Sequence, residues 1–313
     1  MTDNIQTVPV ALPLHASRES VIRESAVQAE RRTVGVAISA AARKASQWIR
    51  DHVLATICLA YLSVILLAAL APQLIARYDP YATSPQSKLL APSAQHWFGT
   101  DQLGRDLFAR VTFGARTTIL ASLLALAIAA ISGLIIGIIS GYRGGLTDVL
   151  TMRGIDVLLA IPGLLLAITI VTAIGFGTIP VAIAIGIGIM PSFARTTRAQ
   201  VLRVRERSYV EAARVCGASN ARIILTHILP NSFGPVAVLT LLDFGVVIMS
   251  VATLSFLGFG AAPPAAEWGS LINDGRSYLI TSPWVPLLPG LVVVATVLAV
   301  TIVANTLKEG LER

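Results

Sequence analysis

Residues 117–140 read TTILASLLALAIAAISGLIIGIIS, a run without one charged side chain. A hydrocarbon layer about 30 Å thick is crossed by roughly 20 apolar residues in a helix. Only helices and closed barrels leave no backbone polar group facing lipid. Five more runs approach that length, at 53–75, 155–175, 179–194, 233–257 and 285–306. The run at 155–175 carries Pro162 near its start, which predicts a kink, and that at 179–194 is short and rich in Gly and Ala. Apolar and polar residues nowhere alternate with period two, so a β-barrel is excluded. The expected fold class is an all-α membrane protein with six transmembrane helices.

Composition agrees: 55% of the 313 residues are hydrophobic and 13% are charged, against about 25% charged in soluble domains. The net charge of +7 does not point to nucleic acid, because the cations fall between the apolar runs, where they orient a membrane protein. With the N-terminus inside, all but six of the 24 Lys and Arg lie on the cytoplasmic side, the six being Arg77, Lys88, Arg105, Arg110, Arg116 and Arg276. That bias predicts both termini in the cytoplasm. The organisation expected is a cytoplasmic tail at 1–50, a first span at 51–76 and an extracytoplasmic loop at 77–116. A transmembrane core at 117–307 follows, with a cytoplasmic loop at 195–232 and a cytoplasmic end at 308–313. The tail lacks a signal-peptide pattern, since its first basic residue is Arg18 and no uninterrupted apolar stretch follows. It reads either as a basic amphipathic surface helix over 21–48 or as a disordered tail.

The chain carries little of what covalent chemistry needs. Lys44, Lys88 and Lys308 each follow a residue other than glycine, so there is no Walker A phosphate loop. His15, His52, His96 and His227 fall in different regions without metal-binding spacing, and Cys58 and Cys216 form neither a disulfide framework nor a metal pair. A non-catalytic subunit with no cofactor or metal of its own is expected.

Between Glu211 and Asn231 the chain reads EAARVCGASNARIILTHILPN, a polar island between two apolar runs. Ala212 and Ala213 permit close approach of a partner, and Gly217 lets the chain turn between two helices. Ser219 is placed to cap the helix leading into Ile223 and Ile224. Glu211 stands where a carboxylate either complements free helix N–H groups or meets a basic partner. The island, with Glu211, Ala212, Ala213, Gly217, Ile228, Leu229 and Pro230 at the matching positions and Ala218 and Ser219 between them, resembles the EAA loop of the integral-membrane subunits of binding-protein-dependent ABC importers. Three segments narrow the likeness: FGTDQLGRD at 98–106, MRGIDVLLAIPGLLLA at 152–167 and LSFLGFGAAPPAAEWG at 254–269. From about 96 to 309 the chain is similar to the second permease subunit of dipeptide, oligopeptide and nickel importers, and residues 1–50 lie outside that likeness.

The resemblance implies a type I importer permease fold in a bacterial inner membrane. It implies as partners a homologous or identical permease, two cytoplasmic ABC ATPases that bind ATP and Mg, an extracytoplasmic solute-binding protein and membrane lipid. The 211–231 hairpin would dock on an ATPase and pass its closure to the spans on either side. Peptides are the first cargo implied, with nickel chelates or other small solutes behind them.

Other residues carry readings of their own. Asp243 lies about ten residues into the run at 233–257, where a charge is costly, so it faces either the translocation path or a neighbouring span. Gly133, Gly137 and Gly141 recur at four-residue spacing and predict close helix contact. Arg153 and Asp156 are spaced to pair with each other. Trp97, Trp268 and Trp284 at the outer boundary and Trp48 at the inner one read as interfacial anchors. Two alternative classes are an ion-coupled secondary transporter, which calls for inverted repeats and several buried ionisable groups, and a membrane scaffold, which has no use for a coupling hairpin.

Overall fold

The computed structural model describes residues 52–312, with side chains as far as 309. Contacts divide the chain into two units, Met1–Thr56 and Ile57–Arg313. Of the first, only 52–56 is described, a helical turn in which the Thr56 hydroxyl donates to the His52 carbonyl at 3.0 Å. The tail expected at 1–50 and Trp48 lie outside the described residues.

Among the described residues, five helices are long and apolar enough to cross a bilayer: α1 (Val53–Leu70), α2 (Leu107–Arg143), α5 (Thr178–Arg205), α8 (Leu229–Phe256) and α10 (Trp284–Glu312). A sixth crossing is broken. Helices α3 (Gly145–Ala160) and α4 (Gly163–Ile174) meet at 96°, because Pro162 has no N–H to continue α3 and pushes Ile161 to an extended φ −87, ψ 129. At 12 residues, α4 is about 18 Å long, short of a full crossing. Three short α-helices complete the α-helical set among the described residues: α6 (Ser208–Val215), α7 (Asn220–Ile223), which enters α8 through a π turn at Ile224–Ile228, and α9 (Trp268–Gly275).

Helices α2 and α5 form the centre. The glycine spacing in α2 lets the backbones meet: a Cβ at Gly133 would lie 2.4 Å from the Phe193 Cβ, and one at Gly137 would lie 2.5 Å from the Thr197 Cβ and 2.7 Å from the Ala194 carbonyl. Gly186 of α5 packs in return on the Ala125 carbonyl. Both ends of α2 are closed by side chains. Asp106 accepts the Ala109 N–H at 2.7 Å, and the Arg205 guanidinium donates to the Gly141 carbonyl at 3.1 Å.

Helix α3 is clasped to α5 by a two-point ion pair, Arg198 Nε to Asp148 Oδ1 at 2.5 Å and Arg198 Nη2 to Asp148 Oδ2 at 2.6 Å. The Ser140 hydroxyl donates to the same carboxylate. One expectation is corrected here: Asp156 pairs not with Arg153 but with Arg195 of α5 at 2.6 Å. The packed neighbour across the interface has displaced the neighbour in sequence.

A second correction concerns Trp268, which is no boundary anchor. It is fully buried, and its indole N–H donates to the Val111 carbonyl at 2.9 Å. Glu267 beside it caps α9, accepting the Gly269 and Ser270 amides at 3.1 and 3.2 Å. Burial pushes the Glu267 carboxyl above the ordinary carboxylate range, against the hydrogen bonds from Ser255, Gly269 and Ser270 that pull it down.

Candidate functional site: a hairpin and a membrane cavity

The hairpin is built by its own spacing. Helix α6 ends at Cys216, and Gly217 follows at φ +82. The Ala218 N–H donates to the Ala213 carbonyl and the Gly217 N–H to the Arg214 carbonyl, both at 3.0 Å. These are the two bonds of a Schellman motif, which puts a glycine four residues after the last alanine of Glu-Ala-Ala. Ser219 then caps α7, its hydroxyl accepting the Arg222 N–H at 3.3 Å. The turn just before Pro230 widens to π form, where the proline removes one i to i−4 bond.

Beneath the hairpin lies a small core of Val201, Val204, Val210, Ile223 and Ile228, packed against Ile138 and Tyr142 of α2. The Tyr142 hydroxyl donates to Asn220 at 2.8 Å, and the Tyr209 and His227 rings meet with centroids 5.6 Å apart, tilted by 57°. The hairpin is thereby seated on the ends of α2 and α5. Its outer face is open: Glu211, Ala212 and Val215 share one side of α6 and are exposed, Val215 at 83%, and Cys216 is exposed beside them.

The second feature is a cavity of about 510 Å³ at the break between α3 and α4. Gly163 and Leu164 of α4, Gly188 of α5, Ser250 and Thr253 of α8 and Thr301 of α10 line it. Its wall is apolar, with hydroxyls and no charge. Asp243 is half-buried on α8 and is not part of that lining. It nevertheless shares the α8 face of Val246, Ser250 and Thr253, one turn nearer the N-terminal end of that helix. No ion pair to it is present among the described residues.

Sequence reasoning located the hairpin, and its candidate for the path, Asp243, is not among the residues that line the cavity. The same reasoning missed the Asp148 clasp, the Arg205 cap and the lining of the cavity, whose partners come from helices far apart in the chain. Among the described residues no three His, Cys, Asp or Glu side chains group as a metal site.

A hairpin seated on two central helices and a cavity at a broken span define a polytopic transport subunit. The chain belongs to the family of binding-protein-dependent transport system inner membrane components, whose family model matches residues 133–313. It is 38% identical over 270 residues to a dipeptide transport system permease of Alkalihalophilus pseudofirmus, covering 86% of this chain and 89% of that one. It is 40% identical over 238 residues to a probable D,D-dipeptide transport system permease of Escherichia coli K12, covering 76% and 80%. A glutathione transport system permease of Pectobacterium atrosepticum is 37% identical over 269 residues, covering 85% and 88%. Among solved structures, the MetNI methionine ABC transporter in an inward-facing conformation shares the fold, with a TM-score of 0.50 at 16% identity over 64% of this chain and 95% of that one. The fold is that of a type I importer permease, and the protein is a permease subunit of the inner membrane. Family membership leaves the ion-coupled alternative without support.

Proposed function

We propose that this subunit forms half of the translocation pathway of a peptide importer and is driven through the 211–231 hairpin by separate ATPases. The observation that carries the reading is the hairpin itself: an exposed face of Glu211, Ala212 and Val215 on a turn held by Gly217, seated on the ends of the two central helices. A push on such a seat moves α2 and α5 together. Both termini are cytoplasmic in this reading, a homologous or identical permease completes the pathway, and two ATPases supply ATP and Mg. A loaded binding protein docks outside, on the 77–116 and 259–284 segments. ATPase closure turns the shared cavity outward, and hydrolysis resets it. The relatives' names support peptides as cargo, and the uncharged, hydroxyl-bearing cavity suits a solute of no net charge. Asp243 stands on the path, one turn below the cavity.

The test is ATP-dependent uptake of labelled dipeptide, with co-purification of ATPase subunits. Wild type should retain the ATPases, and joint replacement of Glu211 and Gly217 should abolish uptake. Wild type that never associates with an ATPase, together with undiminished uptake by the double variant, sinks the proposal.

A further inference from the structure

Helix α1 has 18 residues and a length of about 27 Å, so at Leu70 the chain reaches the edge of a hydrocarbon layer. The loop that follows meets the start of α2, at the far end of that helix from Tyr142 and the hairpin. There Gln73 of the loop and Phe113 of α2 line a cavity of about 340 Å³, together with Arg77, Tyr78, Asp79 and Tyr81. Those last four side chains are exposed. The Arg77 guanidinium is held over the Trp97 ring, 4.4 Å from its centroid, and that ring packs edge-on against Phe108 at 5.0 Å. Tyr78, Tyr81 and Trp97 are each close to half-exposed, as aromatic side chains are where a bilayer meets water.

Helix α2 brings a second cation. Phe113, Arg116, Leu120 and Leu123 follow at three- and four-residue steps and so share one face. Arg116, Leu120 and Leu123 are exposed on it, which makes a lipid-facing stripe with an arginine one turn from the cavity. An arginine near the end of a membrane helix extends its long side chain toward the headgroups. Among the described residues neither Arg77 nor Arg116 forms an ion pair. Asp79, the acid in the cavity wall, accepts the Tyr81 amide at 2.8 Å. Two cations and one anion leave one positive charge over, and a phosphodiester carries one negative charge. The guanidinium fork also matches a pair of phosphate oxygens. Next to the cavity, exposed Leu66, Leu70 and Leu74 on one side and Leu120 and Leu123 on the other offer apolar surface to acyl chains.

We infer that this pocket binds the phosphodiester of an anionic membrane phospholipid, with Arg77 and Arg116 on the phosphate and the acyl chains along α1 and α2. Such a lipid fastens the loop after α1 to the start of α2 at the membrane surface.

The experiment takes the subunit in its assembled complex, purified in dodecyl maltoside and stripped of lipid. Phosphatidylglycerol, or diacylglycerol with the same acyl chains, is titrated in, and bound lipid is counted by native mass spectrometry. Wild type should bind phosphatidylglycerol about thirtyfold more tightly than diacylglycerol, the scale that two cations near a bilayer surface supply. Joint Arg77→Gln and Arg116→Gln should bring the two lipids level, whereas joint Arg77→Lys and Arg116→Lys, which keeps both charges, should retain most of the preference. Arg116→Gln alone, at an exposed position, should lose about fivefold, and it decides the matter if the double Gln variant does not assemble. Inorganic phosphate should not displace the lipid; displacement by it would make this a site for free phosphate and overturn the lipid assignment. Equal binding of the two lipids by wild type overturns the inference. So does an undiminished preference in the Gln variants, whether or not they lose docking of the binding protein.

Discussion

Gly217 shows how much one residue decides. A Cβ there would meet nothing within 4 Å, so the demand for glycine comes from φ +82 alone. Gly217→Ala should cost about 1 kcal/mol in the hairpin and lower ATP-dependent uptake, whereas Gly217→Asn, which tolerates that conformation, should retain more of it. If Ala and Asn behave alike, the turn is not what matters. Glu267 makes a prediction in pH. Its folded pKa is raised by burial, so its contribution to stability is complete below the unfolded value of about 4.3 and declines as pH rises through the folded value. Glu267→Gln should therefore flatten the fall in thermal midpoint of the purified complex between mild acid and neutral pH. Gly217 was legible because a turn is local chemistry. The pairing of Asp156 was not, since the spacing of Arg153 competes with an arginine 39 residues away.

Between elements, the α2–α5 contact is the most demanding. Gly137→Val must push Thr197 or the α5 backbone aside, and should lower stability by about 1–3 kcal/mol, read as a drop in the thermal midpoint. Gly154 of α3 faces open space, so Gly154→Ala should raise stability by about 0.5–1 kcal/mol. Equal effects at both positions would show that helix propensity and not contact governs α2. The glycine ladder was readable because its period is that of a helix face. Pro162 likewise announced a break, but a 96° bend follows from what α3 and α4 pack against, which no local pattern carries. Trp268 misled for a related reason: position at the end of an apolar run suggests a boundary, while α9 folds back and buries it.

On the scale of the whole molecule, the 211–231 hairpin should move with the central helices and the opposite mouth should not stay fixed. Two cross-links between introduced cysteines separate these behaviours, each made in a chain whose Cys216 is replaced by Ser. A bis-maleimide link between positions 142 and 220, whose side chains meet through the Tyr142 hydroxyl, should leave dipeptide uptake largely intact. A disulfide between 176 and 259, where the rings stack, should stop it, with activity returning on reduction. Uptake that survives the second link, or dies with the first, contradicts this division into a moving block and an opening mouth. The long apolar helices were legible in hydropathy because lipid imposes one demand on every residue that faces it. The location of the cavity depends on four helices meeting, and only coordinates show that.

The exposed thiol at the end of α6 gives this protein a built-in reporter. Of its two cysteines, Cys58 is buried and Cys216 is exposed beside the hairpin turn. A fluorescent maleimide should thus label the unmodified sequence at one place, on the surface proposed to meet the ATPase. Spectral shift and quencher access at that dye would then follow docking and release in real time, with no engineered residue.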